Sequence, residues 1–227
     1  MKRKLGLFAI FAGLAALVIV LYWARPFLLS KVGGAEPAPA KQPPKVEPKK
    51  EEAKTDASGR PLAWAQPVKV PGVGNCYKVS DELYRGEQPA PKEVGLAELK
   101  KLGVKTVVNL RTLHDEGEEA GSAGLAYVRI YFNPLEEPEK SDVIQFLRVM
   151  ADKSKHPVFV HCQHGADRTG TMCAIYRIVV QGWSKEEAVK EMKEGGYGFH
   201  GQVYESYAEY VKKLDAEALR RELRLSQ

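Results

Sequence analysis

The apolar positions divide the 227-residue chain into three parts. Residues 5–23 carry no charge and are almost entirely apolar, whereas residues 33–60 are rich in Pro, Ala, Lys and Glu and contain almost no large apolar side chain. After that, short apolar runs alternate with segments of helical periodicity. The pattern predicts an N-terminal membrane helix within residues 1–32, an extended linker over 33–60 and one folded domain over 61–227.

Within the folded domain, the spacing of apolar residues predicts strands that alternate with helices. The expected strands cover residues 76–79, 83–85, 106–110, 126–131 and 157–161. The expected helices cover residues 91–102, 141 to about 150, 168–181, 184–194 and 203–222, and Ser184 with Glu187 forms a capping box. This alternation is typical of an α/β fold with a parallel-rich central sheet flanked by helices.

The first 32 residues are expected to anchor the protein in a membrane. Three basic residues precede the apolar segment, and Tyr22 and Trp23 close it as an interfacial aromatic pair would. A cleaved signal peptide is the alternative, but its apolar region is usually shorter and ends in small residues. The basic cluster at the N-terminus favours a domain outside the cytoplasm, in the periplasm if the chain is bacterial.

Charge and cysteine content exclude two classes of protein. Residues 1–60 hold 11 of the 34 basic and 5 of the 29 acidic residues, so the net charge of +5 belongs to the N-terminal extension. The nearly neutral domain lacks the charge signature of nucleic-acid binding, and no nucleic-acid partner is expected. The three cysteines, Cys76, Cys162 and Cys173, cannot all pair, which excludes a disulfide framework.

The loop between the predicted strand 157–161 and the next helix contains the most reactive chemistry. Cys162 lies at its start and Arg168 at its end, where a helix N-terminus offers unpaired N–H groups and a positive dipole. These neighbours favour a nucleophilic thiolate, and a planar guanidinium binds two phosphate oxygens at once. Gly165 lets the loop turn inward, Thr169 can donate a hydrogen bond to the thiolate, and His161 can brace the loop.

This segment resembles the signature of the protein tyrosine phosphatase superfamily, in which His-Cys is followed by five residues, Arg, and Ser or Thr. His161, Cys162, Arg168 and Thr169 match its fixed positions. The resemblance extends to residues 83–89 and 108–111, which are similar to bacterial and plant-fungal dual-specificity-like phosphatases.

The resemblance implies a cysteine-dependent phosphatase that forms a phosphocysteine intermediate and needs no metal or other cofactor. Its substrate would be a phosphoprotein or a phosphorylated small molecule or lipid. The loop residues expected to bind phosphate are Gln163, His164, Gly165, Ala166, Asp167 and Arg168.

A phosphatase also needs a general acid that protonates the leaving oxygen. The segment where related enzymes carry an Asp has Asn133, and Asp142 is expected in the first turn of a helix. Asp167, directly before Arg168, resembles the acidic residue of lipid-like and myotubularin-like phosphatases. Asp167 is therefore the first candidate, and the alternatives are Glu136, Glu137 and Glu139.

Other readings of the chain stay open. A catalytically silent phosphate-binding module would be expected to lack Cys162 or Arg168, and a rhodanese-type sulfurtransferase would not be expected to end the loop in Arg-Thr-Gly. Cys173 is expected to pack in the core, whereas the role of Cys76 is open. His114 and His200 are expected to be surface or loop residues, because no His or Cys pair has metal-ligand spacing.

Overall fold

The computed structural model describes residues 54–224. The predicted membrane helix and most of the predicted linker lie outside these residues. Within residues 54–224, no helix has the length and apolar character needed to span a bilayer.

A six-stranded mixed sheet forms the centre of the described domain. In chain order its strands are β1 Gln66–Pro67, β2 Tyr77–Lys78, β3 Leu83–Gly86, β4 Thr106–Asn109, β5 Ala126–Arg129 and β6 Val158–His161. The order across the sheet is β1-β2-β3-β6-β4-β5, in which the first three strands are antiparallel and the last four are parallel. The predicted parallel-rich sheet is confirmed.

Helices cover both faces of the sheet. They are α1 Lys92–Lys101, α2 Gly117–Ser122, α3 Lys140–Ala151, α4 Asp167–Val179, α5 Lys185–Glu194, α6 Gly201–Lys213 and α7 Ala216–Leu223, with a 3₁₀ turn at Lys153–Lys155. Alternate strand residues belong to opposite apolar clusters. Val108 and Val160 pack in the larger cluster, which also contains residues of α3 to α7. Val107 and Phe159 pack in the smaller cluster, which also contains residues of α1 and α2. Burial on both faces explains why these strands are continuously apolar.

The strand register aligns the ends of three neighbouring strands, β3, β6 and β4. His161 at the end of β6 lies beside Gly86 of β3 on one side and Asn109 of β4 on the other. The segments that follow or end these three strands therefore meet at one edge of the sheet. In an open α/β sheet this carboxyl edge is the usual place for a ligand.

Three local predictions need correction. The helix expected over 203–222 is two helices, because the Asp215 side chain accepts a hydrogen bond of 2.9 Å from the Ala218 N–H and caps a new helix. The strand expected to reach residue 131 ends at Arg129. β1 and α2 were not predicted, because a two-residue strand and a six-residue helix carry no usable periodicity.

Candidate active site

The loop after β6 lies at the bottom of a cavity of about 210 Å³. Cys162 is only 3% exposed and belongs to the cavity lining. The other lining residues are Arg111, Thr112, Leu113, Pro134, Gln163, His164, Asp167, Arg168 and Tyr204. The structure thus brings Cys162, Asp167 and Arg168 together around one space.

The loop turns its carbonyl groups away from this space. Four of its carbonyl oxygens, those of Gln163, His164, Gly165 and Ala166, lie near donors outside the cavity. The Gln88 backbone nitrogen lies 3.3 Å from the Gln163 oxygen, and Asn75 Nδ2 lies 2.8 Å from the His164 oxygen. Arg85 Nη2 lies 2.7 Å from the Gly165 oxygen and 3.3 Å from the Ala166 oxygen. The N–H groups of residues 163–168 have no acceptor in the described part of the chain. Such a ring of free N–H groups is an anion site.

Arg85 holds this loop from inside the protein. It is 2% exposed, and its guanidinium carbon lies 3.8 Å from the centroid of the Tyr197 ring. Gly165 has a φ of +67°, and a Cβ there would meet the Gly86 carbonyl carbon at 2.4 Å. The loop can therefore approach β3 this closely only because position 165 is glycine. Arg85 therefore has a structural role, because its side chain binds loop carbonyl groups, and Gly86 lies where the loop contacts β3.

Two backbone carbonyl groups orient the Arg168 side chain. Its Nη1 atom lies 3.1 Å from the Leu110 carbonyl oxygen and 3.3 Å from that of Phe132. Its Nε and Nη2 groups have no acceptor among the described residues. Because one edge of the guanidinium is fixed by carbonyl groups, the other donors are available for a bidentate anion contact.

A second guanidinium, which the sequence did not reveal, lines the same cavity. Arg111 donates to the Gln88 side chain. Burial and the positive charge of Arg168 lower the pKa of Arg111 from its ordinary value, while Cys162 opposes this shift. Two arginine side chains, those of Arg111 and Arg168, therefore line the cavity together with the Cys162 thiol.

Asp167 contributes a carboxylate to the cavity and is held by a single partner residue. Its Oδ1 atom accepts a hydrogen bond of 2.8 Å from the His200 backbone N–H, and its Oδ2 atom lies 2.9 Å from Nδ1 of the same residue. His200 was expected to be an ordinary surface or loop residue. Its side chain is indeed 55% exposed, but it also has this specific contact.

The alternative acids lie elsewhere. Glu139 and Asp142 form the capping box of α3, as the first-turn position expected for Asp142 implies. Glu137 lines a different cavity, and Glu136 is exposed. Asn133 uses its Oδ1 to accept a hydrogen bond from the Leu135 N–H. Asp167 is therefore the one candidate acid that lines the cavity of Cys162 in the described domain.

His161 lies between the loop of Cys162 and a buried acidic side chain, that of Glu116. Its Nδ1 lies 3.0 Å from the carbonyl oxygen of Cys162, and its Nε2 lies 2.5 Å from Oε1 of Glu116. Both side chains are fully buried. His114 Nε2 lies 3.3 Å from the second oxygen of Glu116. The predicted brace is thus part of a longer arrangement that includes a glutamate not identified from the sequence.

Comparisons with known proteins agree with this geometry. Residues 72–209 match the family model described as DSP-PTPase phosphatase fused to NAD+ Kinase. The chain belongs to this family of cysteine-dependent phosphatases. It is similar to the dual specificity protein phosphatase TpbA of Pseudomonas aeruginosa strain PAO1, at 39% identity over 167 residues and 72% of each chain.

One solved structure of TpbA and one more distant relative show how far the phosphatase likeness extends. The crystal structure of P. aeruginosa TpbA in complex with pTyr has a TM-score of 0.63, with 33% identity over 74% of this chain and 99% of that one. The inositol diphosphatase DSP5 of Arabidopsis thaliana is 26% identical over 53% of this chain and 61% of its own length. The predicted phosphatase activity is thus confirmed, which disfavours a silent binding module and a sulfurtransferase.

The other two cysteines of the phosphatase lie outside the cavity. Cys173 is 5% exposed and packs in the larger apolar cluster, as expected. Cys76 is also 5% exposed and packs in the smaller one. Burial raises the pKa of each thiol to about 11. Both are therefore protonated at neutral pH and have a packing role.

Proposed function

We propose that Cys162 is the nucleophile of a metal-independent phosphomonoesterase and that Arg168 with the loop N–H groups binds the phosphoryl group. The observation that carries this assignment is the outward orientation of the carbonyls of Gln163, His164, Gly165 and Ala166, which leaves the loop N–H groups facing the cavity. Three phosphate oxygens can then share the N–H groups and the free edge of Arg168.

The reaction would proceed in two steps. The Cys162 thiolate attacks phosphorus, a P–S bond forms, the P–O ester bond breaks and the leaving oxygen takes a proton from an acid. Water then attacks the phosphocysteine and gives a proton to the solvent, a new P–O bond forms, the P–S bond breaks and the thiolate leaves. The buried Thr169 hydroxyl has no partner among the described residues, so it is available to donate to the departing sulfur.

Asp167 is the proposed acid, and His200 is its partner. A protonated Oδ2 can donate to Nδ1 of the neutral His200 ring, while Oδ1 keeps the backbone hydrogen bond. After the proton has gone to the leaving group, the exposed ring can take up another proton from solvent and return it to Asp167. This arrangement supports a carboxyl group that is reprotonated in each cycle.

Phosphotyrosine in a protein is the proposed first substrate class. The TpbA relative, which is 33% identical, has been crystallised with pTyr. The walls of the cavity include Leu113, Pro134 and Tyr204, which offer apolar contacts to an aryl ring above the polar floor. Initial rates on phosphotyrosine, phosphoserine and inositol phosphate substrates test this with the full chain in detergent and excess chelator. Activity that requires a divalent ion, or that is absent on all three, would contradict the proposal.

A diphosphorylated inositol is the second candidate, and Arg111 is the observation that favours it. The relative DSP5 is named an inositol diphosphatase, and a second guanidinium beside Arg168 suits a second phosphate. Arg111→Gln should then lower kcat/KM on an inositol diphosphate by roughly 10–100-fold, the usual value of a hydrogen bond to a charged group. An equal loss on phosphotyrosine would assign Arg111 to the transferred phosphate instead.

We also propose that residues 1–32 anchor the enzyme in a membrane, with the catalytic domain on the extracytoplasmic side. The support is the uncharged segment 5–23 and the basic residues before it. The linker of 28 residues would then allow the domain to reach at most roughly 85 Å from its anchor if it were fully extended as polyproline helix.

A further inference from the structure

Arg60 lies where the predicted linker meets the domain, and its side chain reaches across the fold. Residues 54–62 form a closed turn, in which Thr55 pairs with Pro61 and the Asp56 side chain accepts a hydrogen bond of 3.0 Å from the Arg60 N–H. Neither step of the reaction uses this turn. It nevertheless directs the Arg60 guanidinium at a glycine-rich segment 135 residues further along the chain.

The Arg60 guanidinium holds the buried side chain of Tyr197. Its Nη1 donates to the Gly195 carbonyl oxygen at 2.8 Å, and its Nη2 donates to the Tyr197 hydroxyl oxygen at 2.8 Å. Nε and Nη2 also donate to the Ala65 carbonyl oxygen, at 2.9 and 2.7 Å. The Tyr197 hydroxyl in turn donates to Glu191 Oε1 at 2.9 Å. Because Tyr197 is 1% exposed, these contacts fix the hydroxyl end of a fully buried ring.

Tyr197 contacts both side chains that bind carbonyl groups of the phosphate-binding loop, residues 162–168. The Arg85 guanidinium carbon lies 3.8 Å from the Tyr197 ring centroid, and the Tyr197 carbonyl oxygen accepts a hydrogen bond of 2.8 Å from Asn75 Nδ2. Asn75 in turn binds the His164 carbonyl oxygen, and Arg85 binds the two carbonyl oxygens after it. The buried Arg85 Nε has no hydrogen-bond partner among the described residues, so the Tyr197 ring is an important restraint on this guanidinium.

We propose that Arg60 is a positioning residue that holds the phosphate-binding loop in place through Tyr197. The inference rests on the proposed phosphate-binding role of that loop. Without Arg60, the Tyr197 hydroxyl loses a donor, and the ring that supports Arg85 is less firmly held. A catalytic anion site needs its donors placed to within about 0.5 Å, so a small shift of the loop weakens binding of the transition state. The join between the predicted linker and the domain is thereby part of the support of the phosphate site.

A role in stability alone is the alternative. The Arg60 guanidinium carbon also lies 5.3 Å from the Tyr77 ring centroid and 5.8 Å from the Trp64 ring centroid, and such contacts stabilise the folded domain. A residue with this role lowers the free energy of unfolding when it is replaced, but it leaves the affinity of the folded site for an anion unchanged. Anion affinity therefore separates the two roles.

Arg220 provides a matched control. Like Arg60, it donates to two backbone carbonyl groups, those of Val179 at 2.9 Å and Ile178 at 2.5 Å. These carbonyls lie at the end of α4 that is remote from the phosphate-binding loop. Replacement of either arginine by methionine keeps an unbranched apolar side chain and removes every donor. The two substitutions therefore remove similar contacts, and only one of them reaches Tyr197.

The test is inhibition by vanadate and steady-state kinetics on a phosphotyrosine peptide, with the full chain in detergent. Arg60→Met should raise the inhibition constant of vanadate and lower kcat/KM by roughly 3–10-fold each, the usual value of one hydrogen bond. Arg220→Met should leave both within about twofold of the unsubstituted chain, as expected for a distant site. Thermal unfolding of each variant measures its loss of stability separately.

A double substitution tests whether Arg60 acts through Tyr197. Tyr197→Phe keeps the ring beside Arg85 and removes the hydroxyl that Arg60 binds, so it should show the same kind of loss. Arg60→Met combined with Tyr197→Phe should lose less than the product of the two single losses, because both remove one shared contact. Losses that multiply in full would overturn the proposed connection.

Unchanged vanadate inhibition in folded Arg60→Met, or an equal loss in Arg220→Met, would also overturn the proposal. If Arg60→Met shows no cooperative thermal unfolding, Tyr197→Phe must show the weaker inhibition by itself, and a folded Tyr197→Phe with unchanged inhibition would be decisive against it. Failure of the proposed function is distinguishable, because it appears as full turnover in Cys162→Ser or as an unsubstituted chain that vanadate does not inhibit.

Discussion

His200 holds both oxygens of the Asp167 carboxyl group, one through its backbone N–H at 2.8 Å and the other through Nδ1 at 2.9 Å. Asp167→Asn preserves these contacts, since the amide can still accept from the backbone and donate to the ring. Asp167→Asn should therefore remove the proton-donating group and leave the structure of the site unchanged. We expect a loss of roughly 10²–10⁴-fold on phosphoserine or an inositol phosphate, the usual value of general acid catalysis. An activated aryl phosphate needs little protonation and should lose much less.

Initial rates on the two kinds of substrate check this prediction. His200→Ala should show the same dependence on the leaving group with a smaller loss, because it removes the ring but keeps the backbone donor. Equal losses on both substrates, with weaker phosphate binding, would mean that Asp167 is structural. The same pair of assays on Glu136→Gln, Glu137→Gln and Glu139→Gln provides the controls, and a leaving-group dependence in one of these alone would move the acid to the loop before α3.

Cys162→Ser should abolish turnover but retain binding of phosphate or vanadate, because the N–H groups and Arg168 are unchanged. Arg168→Lys should lose about 10²–10³-fold in kcat, since a point charge cannot replace a fork that stabilises the transition state. Steady-state kinetics and vanadate inhibition measure the two effects. Substantial turnover by Cys162→Ser would end the phosphocysteine mechanism.

Native protein treated with iodoacetamide at pH 7 should be alkylated at Cys162, and phosphate should protect it. Cys76 and Cys173 should stay unmodified, because burial raises the pKa of each to about 11 and roughly one thiol in 10⁴ is ionised at pH 7. Their reactivity should appear only as the pH approaches 11 or the protein unfolds. Peptide mass spectrometry quantifies the three sites, and equal labelling of all three in folded protein would contradict this assignment.

A reporter fused to the C-terminus tests the proposed membrane orientation. An alkaline phosphatase reporter, which is active after export, should be active, and a cytoplasmic fluorescent reporter should be dark. Deleting residues 1–32 should reverse both results and release the enzyme from the membrane fraction. A fluorescent full-length fusion would place the domain in the cytoplasm.

The loop that carries Cys162 was predictable as a structural unit because its residues are contiguous in the sequence. Cys162 and Arg168 lie between one strand and one helix, and both elements have clear periodicity. Glu116 and His200 were not predictable in this way. They contact the loop from 45 and 33 residues away along the chain, and each lies next to a weakly patterned segment.

The helix over 203–222 shows a different limit. Apolar spacing continues through Leu214 and Leu219, which both pack in the larger core cluster, so periodicity alone gives no reason to end the helix. The helix nevertheless ends there and a new one begins, because the Asp215 side chain accepts a hydrogen bond from the Ala218 N–H group in the first turn of α7. Capping by the Asp215 side chain therefore sets a helix boundary that the apolar pattern does not indicate.

The donors that hold the loop carbonyls have a consequence for synthesis. Asn75 and Arg85 precede their loop partners by 89 and 80 residues, so no isolated fragment that begins at β6 contains the groups that turn its carbonyls outward. A chain that is made from its N-terminus presents these donors before the loop emerges. The thiol therefore acquires its anion-binding surroundings late, when the distant parts of the domain have closed around it, and an unfinished chain is an inactive one.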